Sequence, residues 1–219
     1  MKRVSPYGPE ASIVDGLVPG TAALVRKEFL GYVGTSETSV VDVIPAATSV
    51  VVTHAAHEAE TVRRLLTAAV QHVASTWTAD RYVTSDPAGR VLEPVVEIPV
   101  RYDGADLEEV ANHCGMSTAD VVALHTGATY VVEFCGFSPG FAYLTGLSER
   151  LRLPRRSSPR PRVPAGSVAI AAGYSAVYPR ESPGGWHLLG TTSLAMWDAS
   201  RAAPAMLQPG MVIRFVREA

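Results

Sequence analysis

Residues 136–167 read GFSPGFAYLTGLSERLRLPRRSSPRPRVPAGS, and glycine, proline, aromatic and arginine residues alternate throughout this stretch. Glycine and proline interrupt regular structure, so the apolar runs between them are expected to be short strands. The neighbouring sequence has the same character, because apolar residues alternate at Tyr130–Phe134, at Val168–Ile170 and at Met211–Phe215. Several short strands with no long helix among them predict a β-barrel.

The first half of the chain has a different pattern, in which strands alternate with helices. Val40–Ile44 and Ser49–Thr53 are β-branched runs typical of strands. From Ala55 to Ser75 apolar residues recur every three or four positions, which predicts a long amphipathic helix, and a weaker helical pattern covers Thr21–Leu30. Two helices on a small sheet make an α+β domain, so the predicted fold class is α+β.

A change of composition separates these two halves. Residues 84–94, TSDPAGRVLEP, contain the turn residues aspartate, proline and glycine, and predict a linker. We therefore place a first domain at residues 1–90 and a second at residues 91–219. The second begins with an alternating strand that contains Pro99, which is expected at a sheet edge because proline cannot donate to a ladder.

Composition excludes some classes of partner. The net charge is −2 and the pI is about 6.3, whereas a nucleic-acid-binding protein normally carries a strong basic excess. No apolar run is long enough to span a membrane, and the first residues lack the apolar core of a signal peptide. We expect a cytoplasmic protein whose Cys114 and Cys135 are buried thiols, with a disulfide as the alternative.

Three sequence blocks of the second half have the composition of ligand sites. The first, Gly136–Gly146, places Phe137, Pro139 and Gly140 in a loop whose glycines allow close backbone approach and whose proline fixes its shape. These residues are candidates for a binding surface. The alternative is that the aromatics only plug one end of the barrel, since phenylalanines near glycines are often packing residues.

The second block, Pro154–Ser167, is rich in arginine. It contains four arginines and four prolines and no acidic residue. Guanidinium groups bind carboxylate and phosphate through paired donors, so Arg156 and Arg160 are candidate anion ligands on a loop stiffened by proline. A solvated basic loop, or one that pairs with acids of a partner, is the alternative.

The third block, Tyr178–Gly190, contains a tight turn. Ser182 offers a hydroxyl, and Gly184 and Gly185 offer backbone N–H groups that could cradle an oxyanion. Tyr178 and Trp186 flank the turn as candidate contacts, although a tryptophan in this setting is more often a core residue.

The histidines offer few further candidates for catalytic or metal-binding residues. His125 lies at the end of a helix that Ser117 and Asp120 open with a capping box, and it is either a structural residue or a proton carrier. His54 and His57 have no third ligand nearby in sequence, so no metal site is predicted. The chain has no P-loop, no GxSxG turn and no dinucleotide-binding fingerprint.

These blocks, taken in order, resemble the 5-oxoprolinase B subunit family, also known as allophanate hydrolase subunit 1 or the sporulation kinase inhibitor family. The resemblance implies a ferredoxin-like first domain and a cyclophilin-like β-barrel. It is carried by His125–Gly127, Tyr130, Gly136–Leu144, Pro154–Arg160, Val163–Ala171, Tyr178–Pro179 and Ser182–Gly190.

The resemblance also implies partners and an activity. Members pair with a homologous barrel protein, the C subunit, and with a hydrolase, the A subunit, to open 5-oxoproline to L-glutamate with ATP. The complex is expected to bind ATP, with Mg²⁺ as a second candidate. This chain carries no biotin attachment site and is expected to be inactive alone. Within the shared site, Arg156 and Arg160 would hold an anion, Ser182 would stabilise an oxyanion with the glycine amides, and His125 would move a proton or orient the loop.

The chain departs from the family pattern at several positions. Tyr174 stands where members have a glutamine-threonine-glycine stretch, His187 stands where glutamine follows the tryptophan, and Thr191 replaces a cation. The resemblance therefore leaves two other functions open. One is the inhibition of a histidine kinase through a docking surface, and the other is a role in a urea-type carboxylase or allophanate hydrolase system.

Overall fold

Of the 219 residues, the computed structural model describes 3–76 and 95–218. Backbone contacts divide the chain into two units, Met1–Tyr82 and Val83–Ala219. The domain boundary predicted after residue 90, and the linker predicted at residues 84–94, lie outside the described residues.

The first unit is a four-stranded antiparallel sheet with two helices packed on it. The strand order is β1-β2-β4-β3, and β1 occupies an edge next to β2. The elements are β1 (Val4–Pro6), β2 (Ala11–Val14), α1 (Ala22–Gly34), β3 (Val40–Pro45), β4 (Val50–His54) and α2 (Ala59–Thr76). This architecture confirms the α+β layer and both helices that the sequence predicted.

The apolar face of α2 explains why this layer forms. Val62, Leu66 and Val70 recur at helical spacing on one side of α2 and are buried. They pack with Phe29 of α1 and Val52 of β4 in one core cluster. Because burial of each such side chain stabilises the fold by roughly 1.5–3 kcal/mol, the periodic stripe is sufficient to hold α2 on the sheet.

The second unit is built on a seven-stranded sheet of order β12-β9-β10-β7-β6-β13-β5, with a separate two-stranded ribbon of β8 and β11. Its strands are β5 (Val95–Val100), β6 (Tyr130–Cys135), β7 (Ala142–Thr145), β8 (Arg160–Val163), β9 (Ser167–Ala171), β10 (Tyr174–Val177), β11 (Ser182–Gly184), β12 (His187–Thr191) and β13 (Val212–Arg217). Two helices, α3 (Leu107–His113) and α4 (Thr118–Thr126), lie between β5 and β6.

The two edges of the large sheet meet at one point. Arg101 follows β5 and Thr191 ends β12, and each donates its backbone N–H to the other's carbonyl oxygen, at 2.9 and 2.8 Å. This bridge nearly closes the sheet into a barrel, which confirms the predicted β-barrel. The Ser117–Asp120 capping box at the start of α4 is also confirmed, with both of its hydrogen bonds present.

Side chains alternate between the two faces of this sheet and form two clusters. Inside the barrel, Leu144, Ile170 and Val177 belong to the main core. On the outer face, aromatic residues lie over the small side chains of Ala169 and Ala176, and Val163 of the β8–β11 ribbon packs onto the same cluster. Alternation at a period of two therefore divides this half of the chain into an aliphatic interior and an aromatic outer layer.

Two further expectations concern membranes and thiols. Within residues 3–76 and 95–218, no helix combines the length and apolar character of a membrane span. Cys114 and Cys135 are free thiols, which confirms the preference over a disulfide, although both are half-buried rather than buried.

Candidate functional site

A cavity of about 70 Å³ opens in the aromatic outer layer of the barrel. Its walls come from three separated parts of the sequence: the loop before β7 together with β7 itself, the arginine-rich segment, and the turn before β12. The lining residues are Phe137, Phe141, Tyr143, Arg155, Tyr178, Pro183, Gly184, Gly185 and Trp186.

Edge-to-face aromatic contacts hold these walls together. The ring of Phe141 lies 5.3 Å from Tyr178 and 5.6 Å from Trp186, at nearly perpendicular angles, and Tyr143 lies 5.7 Å from Trp186. This geometry pairs the positive edge of one ring with the negative face of another. Position 184, next to these rings, requires glycine, because a Cβ there would overlap the Tyr178 hydroxyl.

The polar groups of the cavity suit a carboxylate. Burial raises the pKa of Tyr143 and of Tyr178, so both phenols stay protonated at neutral pH and can donate hydrogen bonds. The Trp186 backbone N–H bonds to the Tyr178 oxygen and orients it. Arg155 lines the same cavity, and none of the residues described in the structure forms an ion pair with it. A planar guanidinium beside two phenol donors can bind an anion such as a carboxylate or a phosphate.

The cavity is small for a complete ligand site. Pockets that enclose small molecules have volumes of about 300–1,000 Å³, whereas this cavity has about 70 Å³. Phe137 at its rim is 61% exposed, and Trp197 in the adjacent loop is 41% exposed. The cavity is thus too small to enclose a small-molecule ligand by itself.

Five of the residues predicted from sequence line this cavity: Phe137, Tyr178, Gly184, Gly185 and Trp186. Their binding role remains a prediction. Four lining residues were missed, namely Phe141, Tyr143, Arg155 and Pro183. Tyr143 was identifiable from the alternation in β7, because it shares a face with Phe141.

Pro139 and Gly140 shape the rim without lining the cavity. Phe137 has a φ of 68° and Gly140 a φ of 82°, and Phe141 N–H closes the turn on Ser138 O at 3.0 Å. A Cβ at Gly140 would lie 2.8 Å from Trp197 Cβ. Gly140 therefore lets this loop approach Trp197, as expected of a position that only glycine occupies without strain.

Arg156 and Arg160 lie outside the cavity lining, and each forms an ion pair within the described chain, so their anion-binding role stays a prediction. Both bind Asp106, with Arg156 Nη1 at 3.0 Å and Arg160 Nη2 at 2.5 Å from Asp106 Oδ1. Arg156 Nη1 also lies 2.5 Å from Glu109 Oε2. The arginine-rich block contains no acid of its own, but the start of α3, far earlier in the chain, supplies its carboxylates.

Ser182 also lies outside the cavity lining. Its hydroxyl is largely buried and donates to Arg180 O at 3.5 Å. Because neighbouring strand residues point to opposite sides, Pro183 lines the cavity and Ser182 does not. The hydroxyl is therefore not positioned to stabilise an oxyanion there.

His125 occupies the interior of the barrel, on the opposite face of the sheet. It is fully buried, Tyr102 Oη lies 2.8 Å from its Nδ1, Ser175 Oγ lies 2.9 Å from its Nε2, and its ring stacks on Phe215. Both ring nitrogens are thus occupied by internal partners. The structural alternative for His125 fits this geometry, and the proton-carrier role stays a prediction.

We expect the stability of the fold to depend on His125 below neutral pH. Burial lowers the pKa of His125 to about 3 in the folded state, from an ordinary value of 6.5. Between these two values the unfolded chain binds more protons, so stability is lost as pH falls through this window, by up to about 1.4 kcal/mol per pH unit.

Urea unfolding at pH 7 and pH 5 of the wild type and of His125→Gln measures this effect. The glutamine keeps a hydrogen-bonding side chain but does not titrate, so the wild type should lose more stability than the variant between the two pH values. Equal losses in the two proteins would show that His125 is not the buried neutral base.

The three departures from the family pattern lie away from the cavity lining. Tyr174 donates to the buried carboxylate of Glu133, and His187 Nε2 lies 3.0 Å from Pro154 O. Thr191 donates to Asp103 Oδ1 at 3.0 Å beside the barrel seam. The cation that the family pattern places at position 191 would therefore stand at the seam.

Across the described ranges, no three or more His, Cys, Asp or Glu side chains cluster in a way that could hold a metal ion. His54 instead bonds through Nε2 to Ser12 Oγ at 2.9 Å.

Comparison with known proteins identifies the sequence family. The family model for the carboxyltransferase domain, subdomain C and D, matches residues 27–207. A protein of Bacillus subtilis (strain 168), named as the B subunit of 5-oxoprolinase, is 36% identical over 220 residues, covering 93% of this chain and 83% of that protein. A protein of the same name from Escherichia coli O157:H7 is 53% identical over 131 residues, which cover 57% of this chain and 60% of that protein.

Solved structures agree with this relationship. TTHA0988 superposes with a TM-score of 0.71 at 34% identity, covering 95% of this chain but only 40% of its own chain. The urea amidolyase of K. lactis superposes with a TM-score of 0.69 at 16% identity, over 15% of its length, and shows a likeness of fold alone. This chain thus spans less than half of the TTHA0988 chain.

Proposed function

Because this chain belongs to the 5-oxoprolinase B subunit family, we propose that it is the B subunit of an ATP-dependent 5-oxoprolinase that opens 5-oxoproline to L-glutamate. Its part in the reaction is to bind the carboxylate of 5-oxoproline in the aromatic cavity of the barrel. The name of the relatives marks them as one subunit of an assembly, and the same is proposed for this chain.

The observation that carries the proposal is the position of Arg155. It is an exposed cation among otherwise apolar and phenolic walls, without an ion-pair partner in the described part of the chain. 5-Oxoproline is a small lactam ring with apolar methylene groups, and the ring carries a carboxylate. The guanidinium with the Tyr143 and Tyr178 hydroxyls fits the carboxylate, and the edges of Phe141 and Trp186 fit the ring.

A partner is needed to complete the site. The open rim and small volume of the cavity leave most of a bound ligand exposed. We assign the missing wall to the homologous barrel protein, the C subunit, and the hydrolytic step to the A subunit. The exposed rings of Phe137 and Trp197 at the rim are suited to such a contact, since aromatic residues are enriched at the centres of protein interfaces.

ATP and Mg²⁺ are assigned to the partner proteins. The sequence of this chain has no P-loop, and no acidic cluster for a divalent cation occurs in the described ranges. ATP would supply the phosphoryl group that activates the lactam, whereas the residues of this chain bind and orient the carboxylate end of the substrate.

Reconstitution tests the proposal. This chain is combined with purified A and C subunits of a 5-oxoprolinase, and ATP hydrolysis is measured with and without 5-oxoproline. We expect substrate-dependent hydrolysis from the complete mixture, and none from this chain alone or from the mixture without it. Hydrolysis that is the same with and without this chain would contradict the assignment.

Capture from a lysate distinguishes the other functions. The proposal predicts a stoichiometric barrel partner on the tagged chain. A histidine kinase in its place would favour the inhibitory function, and a biotinylated partner detected with streptavidin would favour a urea-type carboxylase.

A further inference from the structure

The carboxylate of Asp106 has hydrogen-bond partners that are unusual for the N-cap residue of a helix. Asp106 is the N-cap residue of α3, a position where aspartate normally accepts a hydrogen bond from its own helix. Here its side chain makes no such bond. Although it is almost fully buried, it accepts from three donors of other segments: Arg156, Arg160 and the Leu188 backbone N–H, the last at 2.7 Å.

These donors belong to the segments that form the cavity walls. Arg160 begins β8 of the ribbon, and Leu188 lies in β12, which starts directly after Trp186. Arg156 is held through both its side chain and its backbone. The side chain binds Asp106, and the backbone N–H donates to Gly185 O at 2.8 Å. Asp106 thus joins the arginine-rich segment, the ribbon and the glycine turn at one point outside the cavity.

Arg155 is the residue directly before this junction. The side chain of Arg156 is turned to Asp106 and Glu109, while the side chain of Arg155 lines the cavity. No described residue fixes the Arg155 guanidinium by an ion pair, so its direction depends on the backbone that carries it. That backbone is held through Arg156.

We infer that Asp106 is a positioning residue for Arg155, and that it sets the affinity of the cavity for the carboxylate of the substrate without touching it. This inference rests on the proposed function. Asp106 fixes the backbone of the arginine-rich segment relative to the glycine turn, so Arg155 enters the cavity opposite Tyr178. Loss of the Asp106 charge would free this segment and lower carboxylate affinity.

A double-mutant cycle tests the inference in the reconstituted complex. Asp106→Asn keeps the shape and one acceptor but loses the charge, and is expected to raise the KM for 5-oxoproline by about tenfold, as loss of a supporting residue typically does. In an Arg155→Ala background the same change should alter KM by less than about twofold, because its effect passes through Arg155. Asp103→Asn, three residues earlier and also ion-paired, should leave KM unchanged.

An equal effect of Asp106→Asn in both backgrounds, or none in either, overturns the inference. If circular dichroism shows that Asp106→Asn is unfolded, Arg156→Ala takes its place, because alanine removes the Nη1 that donates to both Asp106 and Glu109. The same non-additivity is then expected.

A second measurement does not depend on the substrate. The Nε–H signal of Arg155 in the isolated chain, assigned by its loss in Arg155→Lys, should shift in NMR spectra of Asp106→Asn and stay in place in Asp103→Asn. An unshifted signal in both variants overturns the inference even where the complex is active. If the reconstituted complex shows no oxoproline-dependent ATP hydrolysis, only the proposed function is contradicted. The Nε–H signal of Arg155 in the isolated chain still tests the role of Asp106.

Discussion

Replacing Arg155 with alanine is expected to lower kcat/KM for 5-oxoproline in the reconstituted complex by about 10- to 100-fold. A hydrogen-bonded contact to a charged group contributes about 1.5–3 kcal/mol, and each 1.4 kcal/mol corresponds to a factor of ten. Because the substrate carboxylate keeps its charge throughout the reaction, the loss should appear mainly in KM. Steady-state ATP hydrolysis at several 5-oxoproline concentrations measures it.

Arg162→Ala is the matched control for this variant. Arg162 lies on the same arginine-rich segment, but its side chain is 80% exposed and its nearest described acid, Glu181, is 3.8 Å away. Its removal should change kcat/KM by less than about twofold, as exposed ion pairs contribute little. Equal losses in the two variants would indicate a general effect of positive charge and would contradict a specific contact to Arg155.

Gly104→Ala is expected to destabilise the second unit by about 3 kcal/mol or more. An added Cβ would overlap Leu188 O and Leu189 C and would lie 2.5 Å from Gly190 N, all of them backbone atoms of β12. Backbone cannot move aside as a flexible side chain does, so the loop must separate from β12. That separation would also break the bond from Gly104 N–H to Leu189 O. Urea unfolding followed by tryptophan fluorescence measures the change.

Gly136→Ala provides the comparison in the same unit. The nearest atom to its added Cβ is Tyr143 Cε2 at 4.0 Å, which is an ordinary contact. We expect a change of less than about 1 kcal/mol in the free energy of unfolding, since such a substitution also reduces the freedom of the unfolded chain. Similar stabilities of the two alanine variants would show that the approach of residue 104 to β12 is not as close as described.

The fold was predictable where the sequence is periodic. The stripe of Val62, Leu66 and Val70 predicts α2, and the alternation around Ile170 predicts a buried strand, because burial acts on side chains at fixed spacings. Closure of the barrel was predictable only in outline. The bridge between Arg101 and Thr191 joins residues 90 positions apart, and no local pattern indicates it.

The site was predictable in composition but not in detail. The aromatic and glycine residues stand in dense blocks, and these blocks do line the cavity. The sequence could not show which of the adjacent arginines lines the cavity, because this depends on Asp106, a single carboxylate outside the block whose contacts arise only in the folded chain. His125 was open to two interpretations for a similar reason, since Tyr102 and Ser175, its partners, are distant in sequence.

A crystal structure of the reconstituted complex with bound 5-oxoproline tests the central claim most directly. We predict that the substrate carboxylate lies in the aromatic cavity, within hydrogen-bond distance of the Arg155 guanidinium, about 2.7–2.9 Å, and beside the Tyr178 hydroxyl. A substrate bound with its carboxylate on another protein of the complex, and with Arg155 still in solvent, would contradict the account.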